Sequence, residues 1–300
     1  MNAQTHERAL GAFLGLAVGD ALGAPAEFLL PHEIRFEHKG PLREMTGGGW
    51  LRLKPGQVTD DTQMALAVGS AMLAAGGWDL RGVADAFAAW LRSRPVDVGN
   101  TCRRGIQRYL QLGTLEAPEA REDGGNGALM RQLPVALGTP FGDDAEFARR
   151  AVAQARLTHG HVFSDAANVA LGRMTRVLLA GGSRADCRAV ADALTAAHPA
   201  FRFEPWPGRT SGYVVDTMQT VLDVFFNAHD FETALVEAVN RGGDADTIGA
   251  LTGQLAGAFW GAAGIPERWL ARLEPKIKAQ ITAQTDGLLA LAFPSPAAAA

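Results

Sequence analysis

The chain has 300 residues, a formal net charge of −4, 20% charged residues and 47% hydrophobic residues. That length supports a large core near the upper limit for one domain, and no linker-like stretch divides residues 1–294, so one domain is expected ahead of an Ala-rich, disordered tail at 295–300. The small charge, with no basic run or RNA-binding motif, argues against a nucleic-acid partner; two cysteines, Cys102 and Cys187, are too few for a disulfide framework and fit a reducing, cytoplasmic compartment.

Residues 5–22 read as a buried helix. Its apolar run at 9–19 has the composition of a signal-peptide core. The flank carries only Arg8 against Glu7, however, Asp20 ends the run, and the run is too short to span a bilayer. Gly11, Gly15, Gly19 and Gly23 recur every four residues and form one stripe. The helix delivers Asp20 and then Glu27 at its far end. Residues 31–58 read as irregular, with Gly47-Gly48-Gly49-Trp50 and Pro55-Gly56 marking a long loop over a site.

Thr59-Asp60-Asp61-Thr62 opens a helix over 61–76. A single Asp there would be an ordinary N-cap, but adjacent carboxylates repel and only one can cap. A helix follows over 79–93, stopped by Pro95. The turn Arg94-Pro95-Val96-Asp97-Val98-Gly99-Asn100-Thr101 leads into a helix over 101–112, where Asp97 and Asn100 read locally as caps. Gly124-Gly125-Asn126-Gly127 precedes a helical pattern at Leu129, Met130, Leu133 and Val135. A Gly-rich turn at a helix start can bind phosphate through backbone N–H groups, although glycines more often simply make a turn.

Helices are expected over 143–157, 164–180 and 184–197. Between the first two, Thr158-His159-Gly160-His161 offers histidines two apart, a metal or substrate contact in one reading and caps in the commoner one. Residues 198–213 form a second long loop, with aromatic faces at Trp206 and Tyr213. Helices over 214–227, 231–240 and 267–292 complete the pattern. No two-residue alternation is sustained anywhere, so the fold class is all-α with more than ten helices.

The chain is organised around Gly242-Gly243-Asp244-Ala245-Asp246-Thr247 and the helix after it. Gly249, Gly253, Gly257 and Gly261 repeat the four-residue glycine spacing of the first helix, which predicts two stripes packed closely in the interior, against each other in one arrangement. One cap position cannot use two carboxylates and a hydroxyl. If this cluster meets Thr59-Asp60-Asp61-Thr62, at least four carboxylates converge, at a cost of several kcal/mol without positive charge. Hard divalent cations, Mg²⁺ or Mn²⁺, would relieve that repulsion, and a pair of them can polarise substrate oxygens and activate water.

These motifs resemble the ADP-ribosylglycohydrolase family. The match runs through Gly19-Asp20-Ala21-Leu22-Gly23 with Glu27, Thr59-Asp60-Asp61-Thr62, Gly125-Asn126-Gly127 with Met130-Arg131 and Pro134, Thr158-His159, and Gly242-Gly243-Asp244-Ala245-Asp246-Thr247. Stretches 45–57, 93–105 and 215–222 resemble a subgroup that acts on the nitrogenase iron protein. The resemblance implies a single all-α domain with a dinuclear Mn²⁺ or Mg²⁺ centre in a cleft. Its ligands would be Thr59, Asp60, Asp61, Asp244, Asp246 and Thr247. It implies hydrolysis of the N-glycosidic bond between ADP-ribose and an arginine side chain, with Asp97 and Glu27 as catalytic carboxylates. Asn100, Gly127 and His159 would hold ribose and diphosphate, and Tyr213 would stack on adenine. It implies as partners an ADP-ribosylated protein, a PII-type signal protein and an ammonium channel, the last two drawing a cytoplasmic enzyme reversibly to the membrane. Other readings are activity on serine-linked or free ADP-ribose esters, a non-catalytic family member, and a two-metal phosphatase.

Overall fold

A computed structural model describes residues 2–293; the Ala-rich tail expected at 295–300 lies outside the described residues. Fourteen α-helices are present among the described residues. In chain order they are α1 (Ala3–Gly23), α2 (Pro31–Glu37), α3 (Asp60–Ala74), α4 (Leu80–Arg92), α5 (Asn100–Leu112), α6 (Leu133–Gly138) and α7 (Asp144–Arg156). There follow α8 (Val162–Leu179), α9 (Arg184–Ala197), α10 (Val214–Asn227), α11 (Phe231–Asn240), α12 (Ala245–Trp260), α13 (Glu267–Arg272) and α14 (Pro275–Ala292). The only β pairing among the described residues is two isolated bridges, Gly48 with Leu53 and Gly125 with Tyr213.

The two glycine stripes meet. A Cβ on Gly15 would lie 2.1 Å from the Gly253 carbonyl oxygen, one on Gly19 2.0 Å from that of Gly249, and one on Gly23 2.2 Å from that of Ala245. Numbers that rise on α1 therefore fall on α12, and the helices run antiparallel with their backbones in contact. Any side chain on either stripe would force them apart. Gly261 leaves the stripe: it ends α12 with φ +79°.

Phe13, Leu16, Val18 and Leu22 fill the layers around α1, and Ile248, Leu251 and Leu255 those around α12, all fully buried. With its short continuation to Ala26, α1 is long and apolar enough to cross a bilayer, longer than the run at 9–19 suggests. Its apolar window is 94% buried by the rest of the fold, so it is a core helix here.

Three boundaries differ from expectation. The loop at 31–58 begins with α2, whose Leu30 N–H is capped by Glu33 Oε2 at 2.7 Å. Residues 127–131 form successive turns, and helix starts only at Leu133, so the Gly-rich turn does not sit at a helix N-terminus. The expected helix over 267–292 breaks before Pro275, whose ring lacks an N–H and crowds the preceding residue.

Candidate active site

Isolated acids elsewhere in the chain cap helices in the ordinary way. Asp79, Asp143 and Asp230 accept from the N–H groups of Arg81, Glu146 and Thr233 at 2.7–3.0 Å. The clustered acids do not. At the start of α3 the carboxylate that does this comes from α1: Asp20 accepts from the Thr59 N–H at 3.0 Å, the Thr62 N–H at 3.1 Å and the Thr62 hydroxyl at 2.6 Å. The N-cap residue itself is Thr59, whose hydroxyl also donates to Asp61 Oδ2 at 3.3 Å. Asp60 and Asp61 are thereby left free of capping.

At the start of α12, Asp244 occupies the N-cap position without a side-chain cap bond. Its carboxylate instead accepts from Asn126 Nδ2, which reaches Thr217 Oγ1 at 2.9 Å on its other side. The Gly242-Gly243 pair is required on two counts. Both residues have φ near +70°, and a Cβ on either would lie within about 2.2 Å of a carbonyl oxygen, that of Leu29 or Thr210. This turn is laced to the loop after α1: the Phe28 N–H donates to Gly243 O at 2.6 Å and the Gly243 N–H to Leu29 O at 2.9 Å. Glu27 is thereby set against α12.

The two acidic helix starts are in direct contact. The Thr247 hydroxyl donates to Asp61 Oδ2 at 3.3 Å. Glu27, Asp244 and Asp246 each place an oxygen within 4.8 Å of the others. The Gly99 N–H donates to Asp60 Oδ2 at 3.1 Å, which brings the Asp97 turn to the same place. The result is an open cavity of about 710 Å³.

Glu27, Asp60, Asp61, Asp97, Asn100, Gly127, His159, Asp244, Asp246 and Thr247 all line it. Two expected residues do not. Thr59 is fully buried behind Asp61. Tyr213, 39% exposed, packs over Gly124, where a Cβ would lie 2.8 Å from its ring. Local caps at Asp97 and Asn100 are ruled out: the N-cap of α5 is Gly99, with no side-chain bond, and Asp97 Oδ1 accepts only from the adjacent Val98 N–H at 2.7 Å. The histidine pair divides. His161 caps α8, accepting from the Phe163 N–H at 3.1 Å, whereas His159 is buried against the cavity.

Burial dominates the electrostatics. It pushes Glu27 and Asp60 each up to about 8, with Asp97 and Asp244 adding repulsion to both. Burial also holds Asp61 and Asp246 well above the usual carboxylate range, and raises Asp97 and Asp244. Asp20 reaches about 6, its hydrogen bonds partly offsetting burial. Among the described residues no lysine or arginine forms a salt bridge with any of them. Asp61 Oδ1 is buried without a hydrogen-bond partner. An oxygen-only donor set with an orphaned carboxylate oxygen is what a hard divalent cation requires, so the residues fit such a group.

Three contributors were not singled out in the sequence as site residues. Asn126 holds Asp244, Trp50 donates its indole N–H to Glu27 Oε2 at 2.5 Å, and Asp20 caps α3 from another helix. Asn126 lies inside a matched motif and Trp50 inside the Gly-rich loop, so a signal was present for both. Asp20 also lies inside a matched motif, but it stands 39 positions from Thr59, and no local pattern links the two.

Comparison with known proteins agrees with this geometry. The ADP-ribosylglycohydrolase family model matches residues 1–297. The chain is 55% identical over 287 residues to the ADP-ribosyl-[dinitrogen reductase] glycohydrolase of Rhodospirillum rubrum, covering 96% of this chain and 97% of that protein. It is 33% identical to the ADP-ribosylarginine hydrolase Tri1 of Serratia proteamaculans, over 90% of this chain and 76% of that one. A solved structure described as an ADP-ribosylglycohydrolase-related protein complex superposes with a TM-score of 0.85 at 35% identity, covering 97% of this chain and all of the other. With fold, cavity and relatives in agreement, the chain belongs to the ADP-ribosylglycohydrolase family of hydrolases.

Proposed function

We propose that this enzyme removes ADP-ribose from an arginine side chain of a protein, and that the nitrogenase iron protein is its target. The observation that carries the reading is the convergence of Glu27, Asp97 and both acidic helix starts on one open cavity of about 710 Å³. That volume suits a nucleotide-sized ligand. The relatives named for dinitrogen reductase and for ADP-ribosylarginine, similar over nearly the whole chain, support the linkage and the target.

Thr59, Asp60, Asp61, Asp244, Asp246 and Thr247 would hold two divalent cations, Mn²⁺ or Mg²⁺. When bound, these would supply Lewis-acid polarisation of the ribose oxygens as the C1–N bond breaks. The protein's own residues do the rest. Asp97 stands half-buried on the cavity wall, its pKa raised by burial. It moves the proton that must leave the water nucleophile and reach the departing guanidine. Glu27 is oriented by the Trp50 indole and faces the same reacting centre. Asn100, Gly127 and His159 position ribose and diphosphate, and Tyr213 offers its half-exposed ring to adenine. The PII-type and ammonium-channel partners rest on the resemblance alone.

The test is release of ADP-ribose from an arginine-ADP-ribosylated protein by chelator-treated enzyme, with and without added Mn²⁺. Release only with metal is expected. No release with metal shown to be bound would move the reading to serine-linked or free ADP-ribose esters.

A further inference from the structure

Behind the Gly125–Gly127 wall of the cavity lies a cation with no carboxylate partner. Arg131 is fully buried. Its Nε donates to Gln154 Oε1 at 3.0 Å, its Nη2 to Gln154 O at 3.1 Å and to Thr158 Oγ1 at 2.7 Å, and its Nη1 faces Cys102 Sγ at 3.4 Å. The guanidinium lies 4.4 Å from the centre of the Phe87 ring. Sequestering an arginine without a counter-ion is costly, so its position calls for a reason.

The reason lies in the next contact. Thr158 Oγ1 is 2.7 Å from His159 Nδ1. A guanidinium only donates, so the Thr158 oxygen accepts from Arg131. The hydroxyl has one proton, and among the described residues the only acceptor it contacts is His159 Nδ1. The opposite arrangement, with a proton on Nδ1, would direct two donors at the oxygen and strand the hydroxyl proton in the interior. Nδ1 is therefore the acceptor, and the ring proton sits on Nε2.

That nitrogen makes no hydrogen bond to the described residues. A Cβ on either Gly125 or Gly127 would lie 3.4 Å from it, so the glycines leave its approach open on the cavity side. Burial, with Arg131 next in weight, holds His159 well below the usual imidazole range and keeps the ring neutral.

We propose that Arg131 and Thr158 are positioning residues that fix His159 as an Nε2–H donor aimed at an anionic oxygen of bound ADP-ribose. The buried guanidinium also places positive charge behind the Gly125–Gly127 wall, within electrostatic reach of Asp60, where it offsets part of the carboxylates' repulsion of an anionic diphosphate. The identity of the ligand rests on the function proposed above; the tautomer does not.

The experiment separates the two. Long-range ¹H–¹⁵N spectra of histidine-labelled protein read the His159 tautomer directly, and calorimetry with ADP-ribose reads the donor's use. The wild-type spectrum is expected to show neutral Nε2–H. Thr158→Val should lose that preference and weaken ADP-ribose about tenfold, and Thr158→Ser should restore both. A wild-type ring protonated on Nδ1, or on both nitrogens at neutral pH, overturns the proposal, and this holds even if Thr158→Val fails to fold. Wild-type affinity in a folded Thr158→Val also overturns it. A wild-type protein with the expected tautomer but no affinity for ADP-ribose would sink the ligand reading and leave the relay standing.

Discussion

The helix α12 passes through two environments of opposite character. Along its length it lies against α1 with no side chains between them, and the close approach is neutral and tightly packed. At its first turn it enters a crowd of carboxylates that burial and mutual repulsion make costly. The seam has no slack in shape, and the site has no slack in charge. The two are adjoining ends of one contact: Gly23 meets Ala245, directly beside Asp246. Rigid backbone packing is what can hold several like charges at fixed positions until a cation arrives, as expected where function opposes stability.

The comparison can be broken most severely at the seam. Gly253→Val should yield no soluble protein, because even its Cβ would lie 2.0 Å from the Gly15 carbonyl oxygen. Gly253→Ala should sit at or beyond the upper end of the roughly 1–3 kcal/mol typical of overpacking. Thermal melts and soluble yield measure both, and a near-wild-type Tm for the alanine variant would refute the backbone contact.

Asp97→Asn comes next. It should lower turnover by about 10²–10⁴-fold while leaving the melting curve and metal content unchanged. Wild-type turnover would remove Asp97 from the proton transfer.

The charge side gives a smaller effect of unusual sign. Asp61→Asn should abolish metal-dependent activity yet raise the Tm of chelator-treated protein by a few degrees, since about 1 kcal/mol corresponds to roughly 2 °C at this size. The same reasoning fixes the pH response of the metal-free form. Glu27 and Asp60 titrate near 8 when folded and near about 4 when unfolded. The unfolded chain therefore releases its protons first as pH rises. Stability is greatest below about pH 4 for these groups and is lost as pH climbs to about 8. Added Mn²⁺ should flatten that slope, because a cation favours the ionised form. A metal-free Tm that rises across this range would contradict the electrostatic picture.

The mildest change is Trp50→Phe. It removes the hydrogen bond to Glu27 and shrinks the ring packed on Phe28; kcat should fall several-fold with Tm little changed, and an unchanged kcat would show that the indole does not orient Glu27.

Much of this was legible before any coordinates. Four-residue glycine spacing survives translation into structure because helical geometry puts every fourth residue on one stripe. Paired acids at helix starts stood out because one cap cannot use both. The α2 helix was hidden because a seven-residue element has too few turns to show a period. The break before Pro275 lay inside an otherwise continuous helical pattern. Asn126 next to Asp244 and Asp20 beneath α3 are tertiary contacts, and one-dimensional spacing carries no trace of them. Asp97 and Asn100 looked like caps because local sequence cannot show that Gly99 takes that position.

The antiparallel seam also sets a schedule. The surface of α1 that Gly253 covers is synthesised about 240 residues before Gly253 itself. At about 5–20 residues per second, the wait is roughly 10–50 s. During that time a helix with the length and composition of a membrane span lacks the partner it touches most closely. The glycine face of α1 therefore stays uncovered until most of the chain has been made. A product truncated ahead of residue 245 would leave the glycine face of that helix permanently uncovered.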